Sequence, residues 1–405
     1  MKTPKYILPV IVISQFLCTS LWFAGNGVML ELKMHFKLGE NALGFLTSSV
    51  QLGFIVGTLV FALLSIADRF SPSKVFFISA ILGAAFNLSV VLNVNTYLSI
   101  LAFRFLTGFF LAGIYPVGMK IAADYFDKGL GKSLGYLVGA LVVGTALPHL
   151  LTDIKGELPW EFVLLSTSFL AVIGGILILS FVPDGPKRKE SQKISLSAIP
   201  KIFKGQDFRA ASMGYFGHMW ELYAFWAFVP YMLHVYLKEH TEANFNIPLL
   251  SFYIIGIGGL SCILGGYLAL KFSVRKIAFS SLFLSCICCL VSPLMFFIVT
   301  PEVFITFLLF WGMVVIADSP LFSTLIAHNA PVELTGTALT IVNSIGFAIT
   351  IISIQLLNEL TIITNSPTVL LILALGPIFG LIILFNRNKL RTTKAISHTV
   401  TRQIS

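Results

Sequence analysis

The stretch LLSIADRFSPSKVFF, residues 63–77, places an acid and two bases between two long apolar runs. Continuous apolar runs of about 20 residues recur on both sides of it, from Tyr6 to Phe385, with short polar breaks between them. Each run is long enough to cross a hydrocarbon core of about 30 Å as a helix. Barrel strands would instead alternate polar and apolar residues. The sequence therefore predicts an all-α polytopic membrane protein with about twelve transmembrane helices.

The composition excludes a soluble protein. Hydrophobic residues make up 57% of the 405 positions and charged residues 11%, whereas a soluble domain carries about 25% charged residues. The first run, Tyr6 to Leu30, is too long for the apolar core of a signal peptide, and the charged ELKMHFK that follows offers no cleavage site. We therefore expect this run to remain as the first helix.

The positive charges lie mainly on one side of the predicted bundle. With the N-terminus taken as inside, 21 of the 27 Lys and Arg residues fall on inner loops and termini, and 4 fall on outer loops. This asymmetry follows the positive-inside rule. It predicts a multi-pass protein of the cell inner (cytoplasmic) membrane with both termini cytoplasmic. The net charge of +9 thus orients the chain in a lipid bilayer and indicates no nucleic-acid partner.

A polar, basic stretch, PDGPKRKESQKISLSAIPKIFKGQDFR at residues 183–209, divides the chain near its middle. Three short segments repeat between the two halves at offsets of 202 to 205 residues, and one of them places Pro116 over Pro320. Two parallel six-helix halves are expected of one class of transporter. The predicted units are an N-terminal bundle at residues 1–182, a cytoplasmic linker at 183–207, a C-terminal bundle at 208–386 and a cytoplasmic tail at 387–405.

The opening stretch resembles the loop signature of the major facilitator superfamily, G-x-L-A-D-R-x-G-R-R or R-K. Ala67, Asp68 and Arg69 match it, and Lys74 supplies a basic residue one place late. The second half keeps basic residues in the corresponding loop but has Leu270 in place of the aspartate. An aspartate at a helix end can pair with basic groups and helix termini across the two halves. We therefore predict a conformational gate formed by Asp68, Arg69, Lys74, Lys271, Arg275 and Lys276.

The resemblance covers the whole chain through span count, linker and repeat. It implies the superfamily fold, two pseudo-symmetric six-helix bundles whose spans 1, 4, 7 and 10 line a central cavity together with spans 2, 5, 8 and 11. It also implies transport of a small-molecule substrate by alternating access, in which the halves rock around a site near the membrane midplane.

The fourth span resembles the superfamily's R-x-x-x-G element through Arg104 and Gly108. An arginine inside a span costs about 2.5 to 3.5 kcal/mol on insertion scales, so it should face a wet cavity or a carboxylate. Tyr115 lies on the same helix face. Arg104 is either a handle for an anionic group of the substrate or a structural residue bonded to backbone carbonyls.

The seventh span carries Glu221 near its middle and His218 three residues earlier, on the same helix face. Removal from water disfavours the ionised form of a carboxyl, and a neighbouring imidazolium opposes that effect. The two residues are candidates for proton coupling, with Glu221 as the leading carrier and His218 as its modulator. The alternative is a helix-packing glutamate bonded to a neighbouring tyrosine or tryptophan.

Asp318 lies in the tenth span, two residues before Pro320. A proline bends a helix and frees a backbone carbonyl. Asp318 is either a proton site or the partner of Arg104 across the pseudo-twofold, and we favour the partner role. In the eleventh span, Asn343 and Gln355 are candidate cavity donors, although amides also join helices without contacting substrate.

The sequence offers no nucleophile with its base, no metal cluster and no cofactor loop, so we expect no enzyme, no cofactor and no bound metal. The five cysteines lie within apolar runs and are interpreted as small buried hydrophobic residues. The predicted protein is a monomeric, proton-coupled symporter that takes up a small organic solute, and Arg104 favours an anionic one. The alternative is proton-driven efflux of drugs, metabolites or siderophores, and a non-transporting membrane sensor is the alternative from another class.

Overall fold

A computed structural model describes residues 4–126, 130–186, 188, 199–364 and 366–386. The regular elements within these residues are all helices, which confirms the predicted all-α polytopic class. The predicted tail at 387–405 and most of the predicted linker lie outside the described residues.

Twelve consecutive spans account for most of the described chain, and the first, fourth and tenth are interrupted. Span 1 comprises Ile7–Thr19, Ala24–Gly27 and Met29–His35. Spans 2 to 12 are, in order, Ala42–Leu63, Pro72–Ser89, Tyr97–Leu111 with Tyr115–Tyr125, Leu130–Ile154, Glu161–Phe181, Gln206–Glu239, Ile247–Phe272, Val274–Phe297, Pro301–Ala317 with Ser319–Asn329, Thr335–Thr364, and Pro367–Asn386, which begins as a 3-10 helix. The short helices Ile66–Arg69, Ile199–Ile202 and Val332–Leu334 lie between spans.

Ten of these spans are long and apolar enough to cross a membrane. The other two differ for separate reasons. The main helix of span 1, Ile7–Thr19, is apolar but has only 13 residues, because a turn interrupts the span after it. Span 7 has 34 residues and carries buried polar side chains, among them His218 and Glu221.

The two halves repeat an unusual local feature. Span 4 breaks between Leu111 and Tyr115, and span 10 breaks at Asp318. In each case a proline, Pro116 or Pro320, occupies the second position of the helix that follows. A proline there costs no helical hydrogen bond, because the first N–H groups of a helix have no partner within it. The predicted alignment of the two prolines is therefore confirmed.

Glycine brings helix backbones into direct contact at corresponding places in the two halves. A Cβ at Gly108 of span 4 would lie 2.0 Å from the carbonyl oxygen of Val50 in span 2. A Cβ at Gly312 of span 10 would lie 1.9 Å from the carbonyl oxygen of Ile254 in span 8. Small residues allow this close packing between membrane helices. Each half thus contains a closely packed helix pair at corresponding positions, spans 2 and 4 in the first half and spans 8 and 10 in the second.

The halves meet along spans 2 and 11 and along spans 5 and 8. Gln355 of span 11 donates to the Ser48 hydroxyl of span 2 over 2.9 Å. Spans 5 and 8 also approach closely through glycine, since a Cβ at Gly259 would lie 3.0 Å from the carbonyl oxygen of Gly139. We call the end that holds the loop at residues 64–71 the basic end, and the opposite end, with the loop at residues 36–41, the far end.

Candidate functional site

A cavity of about 820 Å³ lies between the halves at the far end. Spans 1, 2, 5, 7, 8 and 11 line it, and apolar side chains such as Phe228 are mixed with polar ones. His149 in its wall is only 2% exposed. Asn26, another wall residue, donates to the Thr47 hydroxyl over 2.9 Å. A cavity of this size and mixed lining suits a small organic molecule.

Six buried aromatic side chains join the two halves next to this cavity, and we call them the aromatic belt: Trp22, Phe23, Phe54, Tyr223, Trp226 and Phe347. The first three belong to the N-terminal half and the others to the C-terminal half. The rings of Trp22 and Tyr223 are stacked with centroids 5.8 Å apart, and those of Phe54 and Phe347 lie 4.6 Å apart. Trp22 lies four residues before Asn26, and Trp226 precedes the wall residue Ala227, so the belt adjoins the cavity.

At the basic end, an ion pair and hydrogen bonds hold the loop between spans 2 and 3. Lys120 of span 4 places its Nζ 2.6 Å from the Asp68 carboxylate. Arg188 donates to the carbonyl oxygens of Asp68 and Phe70 at 2.7 and 2.8 Å. The partner of Asp68 is thus in its own half, not across the halves as predicted. The reason is that the second helix of span 4 brings Lys120 to the basic end.

The other residues of the predicted gate are distributed over the same end. Arg275 lies 3.7 Å from the Asp207 carboxylate. Lys271 places its ammonium 5.4 Å from the ring centroid of Phe272, within the range of a cation–π contact. The side chains of Arg69, Lys74 and Lys276 are exposed. Their role in gating stays a prediction.

Arg104 is buried in the N-terminal half, and its donors point at backbone oxygens. The side chain is 1% exposed. It donates to the carbonyl oxygens of Leu21 and Trp22 at 3.3 and 2.7 Å, and to the side-chain oxygen of Asn87 at 2.9 Å. The two carbonyls lie at the turn that interrupts span 1, where a helix end leaves such groups without helical partners. These contacts favour the structural role of Arg104 over that of a substrate handle.

His218 and Asp318 form a buried contact between spans 7 and 10. Their Nδ1 and Oδ1 atoms are 2.8 Å apart, and each side chain is 1% exposed. Asp318 is the residue at which span 10 breaks. The predicted partnership of Asp318 with Arg104 is wrong, because the arginine donates to groups of its own half and Asp318 contacts His218.

Glu221 is bound by side chains of spans 9 and 10. Its Oε1 accepts hydrogen bonds from Trp311 Nε1 at 2.6 Å, from the Ser285 hydroxyl and from the Cys289 thiol at 3.2 Å. His218 instead contacts Asp318, so the predicted pairing of His218 with Glu221 is replaced by two separate contacts. Three residues turn a helix by about 300°, which leaves the two side chains about 60° apart.

The remaining predicted residues lie on spans 4 and 11. Tyr115 begins the second helix of span 4 and is half-buried, as is Asn343 of span 11. Gln355 joins the halves through Ser48, which is the helix-joining role left open for an amide. Substrate binding by Tyr115 and Asn343 stays a prediction. Among the described residues, no group of three or more His, Cys, Asp or Glu side chains is placed to hold a metal ion.

Sequence reasoning missed two residues that organise the buried polar groups. Asn87 accepts from Arg104 and donates to the Thr167 and Ser168 hydroxyls of span 6. Trp311 donates to Glu221. An amide in an otherwise apolar run was the available signal for Asn87, since polar side chains in membranes need partners. The indole of Trp311 gave no such signal, because tryptophan is common in apolar segments.

Comparisons with known proteins agree with this architecture. The model of the Major Facilitator Superfamily matches residues 11–354. The sphingosine-1-phosphate transporter SPNS2 of Xenopus tropicalis is 28% identical over 198 residues, which cover 44% of this chain and 35% of that protein. The match therefore spans about a third of that relative's length.

Solved transporter structures share the fold at low identity. The fucose:proton symporter FucP of E. coli superposes with a TM-score of 0.67 at 16% identity, covering 95% of this chain and 99% of that one. A bacterial homologue of the human lysosomal transporter Spinster, inward-facing and unoccupied, gives a TM-score of 0.67 at 13% identity over 94% of each chain. The nucleoside transporter NupG gives 0.67 at 15% identity over 94% of this chain and 98% of that one.

Twelve helical spans in two repeated halves, with a cavity between them, define a secondary transporter. The chain belongs to the Major Facilitator Superfamily. It is a multi-pass membrane transporter of small solutes and not an enzyme.

Proposed function

We propose that this chain couples proton movement to the transport of a small organic solute by alternating access. The observation that carries the proposal is the contact between His218 and Asp318, 2.8 Å long and 1% exposed on both sides. Ionisable residues inside membrane spans are costly and commonly belong to ion or proton pathways. A proton gained or lost by this pair changes the attraction between spans 7 and 10, so it can bias a conformational change.

The arrangement of the two ends supports alternating access. The cavity lies at the far end, while the basic end holds the Lys120–Asp68 ion pair and the hydrogen bonds of Arg188. The glycine contacts at Gly108 and Gly312 favour movement of each half as a unit. Rocking of two such units would close the far end and open the basic end.

We further propose that the protein lies in the inner membrane with both termini in the cytoplasm, an orientation that the distribution of Lys and Arg supports. We also propose uptake as the direction of transport, on which that distribution has no bearing. The sequence favours an anionic solute because of Arg104, but this residue donates to carbonyl oxygens, so the expectation of an anionic solute loses its support. Proton-driven efflux is the alternative direction. FucP, a structural neighbour described as a fucose:proton symporter, is consistent with proton coupling on this fold.

Glu221 is a second candidate for the proton carrier, because it is a 1% exposed carboxyl in span 7. Three donors converge on its Oε1 from two neighbouring spans, which also suits a residue that holds helices together. If Asp318 carries the proton, its amide variant should lose proton-driven accumulation, whereas if Glu221 carries the proton, the amide variant of Glu221 should lose it.

The test uses the full chain reconstituted in proteoliposomes. A solute is first chosen by thermal stabilisation of the purified protein with organic anions, amino acids, sugars, siderophores and drugs at two pH values. Asp318→Asn should then reduce accumulation driven by a pH gradient at least tenfold while solute exchange without a gradient continues. Glu221→Gln is the matched carboxyl-to-amide control. If Asp318→Asn still concentrates solute and Glu221→Gln does not, Glu221 is the carrier.

A further inference from the structure

Two buried hydrogen-bond donors of the aromatic belt have no acceptor within the part of the chain that the structure describes. Trp22 and Trp226 are 1% and 0% exposed, and among the described residues neither indole Nε1 has a hydrogen-bond partner. Tyr223 contacts both rings, with centroids 5.8 Å and 5.2 Å away. An indole N–H is a donor only, and a buried donor without a partner destabilises a structure.

Gln51 adds donors and an acceptor beside the belt. It is fully buried, and both its amide nitrogen and its amide oxygen are without partners among the described residues. It lies three residues before Phe54 and four after Thr47, on one face of span 2. Since Phe54 contacts Trp22 and Thr47 contacts Asn26, Gln51 lies between the belt and the wall of the cavity.

The free hydrogen-bond donors of the aromatic belt and of Gln51 are uncharged. Arg104 approaches the backbone of Trp22, but its guanidinium donates to the Leu21 and Trp22 carbonyls and to Asn87. Neutral amides and indoles suit hydroxyl and carbonyl groups, and a glutamine can both donate and accept. Flat aromatic faces suit the apolar face of a ring.

We propose that the aromatic belt and Gln51 bind a neutral, ring-shaped solute that carries hydroxyl or carbonyl groups, as a sugar or a nucleoside does. The solute enters from the cavity at the far end and displaces ring-to-ring contacts between the halves. Its acceptor groups bind the indole N–H groups of Trp22 and Trp226, and its hydroxyl or amide edge binds Gln51. This inference rests on the proposed transport function and names the class of solute.

The test measures equilibrium binding to the purified full chain, without a membrane or a pH gradient. The probes are two matched pairs, uridine with uridine monophosphate and glucose with glucuronate. The binding of each probe is measured by thermal stabilisation and by titration calorimetry. At least one neutral member should bind, and its charged counterpart should bind at least tenfold more weakly. The absence of binding by both neutral probes, or a preference for a charged one, would overturn the proposal.

Variants separate the belt from general effects on the fold. Trp226→Phe keeps a ring but removes one donor, so the affinity of the neutral probe should fall about 3- to 10-fold. Trp220→Phe is the control, because that indole donates to the Ile372 carbonyl and lies outside the belt. Gln51→Leu provides a second test if Trp226→Phe does not fold. Equal losses in Trp220→Phe and in the belt variants would contradict the assignment.

This measurement is independent of the proton pathway. Binding to the belt without a gradient can succeed while Asp318→Asn transports normally, which would leave the solute class intact and reject the proposed coupling pair. Conversely, loss of driven accumulation in Asp318→Asn together with binding of only charged probes would reject the solute class alone.

Discussion

The two halves satisfy their buried ionisable groups in different ways. In the N-terminal half, the charge of Arg104 is shared among two backbone carbonyls and one amide oxygen. In the C-terminal half, a titratable imidazole faces a titratable carboxyl, His218 against Asp318. The first arrangement has one protonation state near neutral pH, since an arginine does not lose its proton. The second consists of two groups that can each bind or release a proton, so a proton can change the attraction within it.

This contrast assigns different tasks to the halves. The arginine fixes the interrupted region of span 1, which also carries Trp22 of the aromatic belt. The imidazole–carboxylate pair connects span 7 to the break of span 10. The N-terminal half thus contains a span whose interrupted region is held in place by Arg104. The C-terminal half contains the His218–Asp318 pair, which we propose to respond to protons. The following variants test this division, from the largest expected effect to the smallest.

Removal of the Arg104 side chain should have the largest effect. Arg104→Leu leaves the carbonyl oxygens of Leu21 and Trp22 and the oxygen of Asn87 without their donor. Hydrogen bonds to charged groups are each worth about 1.5 to 3 kcal/mol, so we expect a loss of at least about 3 kcal/mol in unfolding free energy. Thermal unfolding in detergent measures this, and Arg104→Lys should recover part of the loss. An unchanged melting temperature for Arg104→Leu would contradict the structural role.

The His218–Asp318 pair should determine proton coupling as a unit. His218→Gln should reduce pH-gradient-driven accumulation about as much as Asp318→Asn, and the double variant should lose no more than either single one, because residues in contact are not additive. Flux in proteoliposomes at several external pH values measures this. Losses that multiply in the double variant would show that the two residues act independently.

Glu221→Gln should have a moderate effect on stability and a small one on coupling. The amide oxygen of glutamine can still accept from Trp311 and Ser285, so we expect a loss of about 1 kcal/mol in stability and less than a threefold change in driven flux. Glu221→Leu, which leaves these donors unpaired, should unfold at a clearly lower temperature. A collapse of driven flux in a stable Glu221→Gln protein would move the proton site to this residue.

Asp68→Asn should have the smallest effect. Lys120 and Asp68 are 24% and 17% exposed, and pairs of this kind contribute about 1 kcal/mol or less. We expect the population open at the basic end to rise by at most about fivefold, measured as distances between spin labels at that end. Lys33→Gln, which removes the exposed ion pair with Glu40 at the far end, is the control. An equal shift in both variants would show that the basic-end pair has no particular role.

The architecture could be predicted from the sequence because each span is recognisable from its own run of apolar residues. A run of apolar residues is a helix in a membrane whatever its neighbours are, and the matched Pro116 and Pro320 marked the two breaks. The motif around Asp68 and the span count then indicated the superfamily. None of these features depends on which helices are in contact.

The pairing of buried polar groups could not be predicted in the same way. The partner of Asp318 depends on how spans 7 and 10 cross, and both Arg104 and His218 were available in the sequence. The donors to Glu221 include Ser285 and Cys289. Both lie in an apolar run, and the sequence alone favours an interpretation of the cysteine as a small buried hydrophobic residue. Partners supplied by the backbone, such as the Leu21 carbonyl, leave no trace in residue identity.

The glycine contact between spans 5 and 8 has a practical consequence for trapping the protein. A methyl group on Gly259 would lie 2.7 Å from Cγ2 of Val143 and 3.0 Å from the carbonyl oxygen of Gly139, each in the opposite half. We expect Gly259→Ala to act as a wedge that disfavours the present arrangement of the halves while leaving the internal packing of each unchanged. A single added carbon would then raise the share of another conformer in a purified sample, without an inhibitor or an antibody.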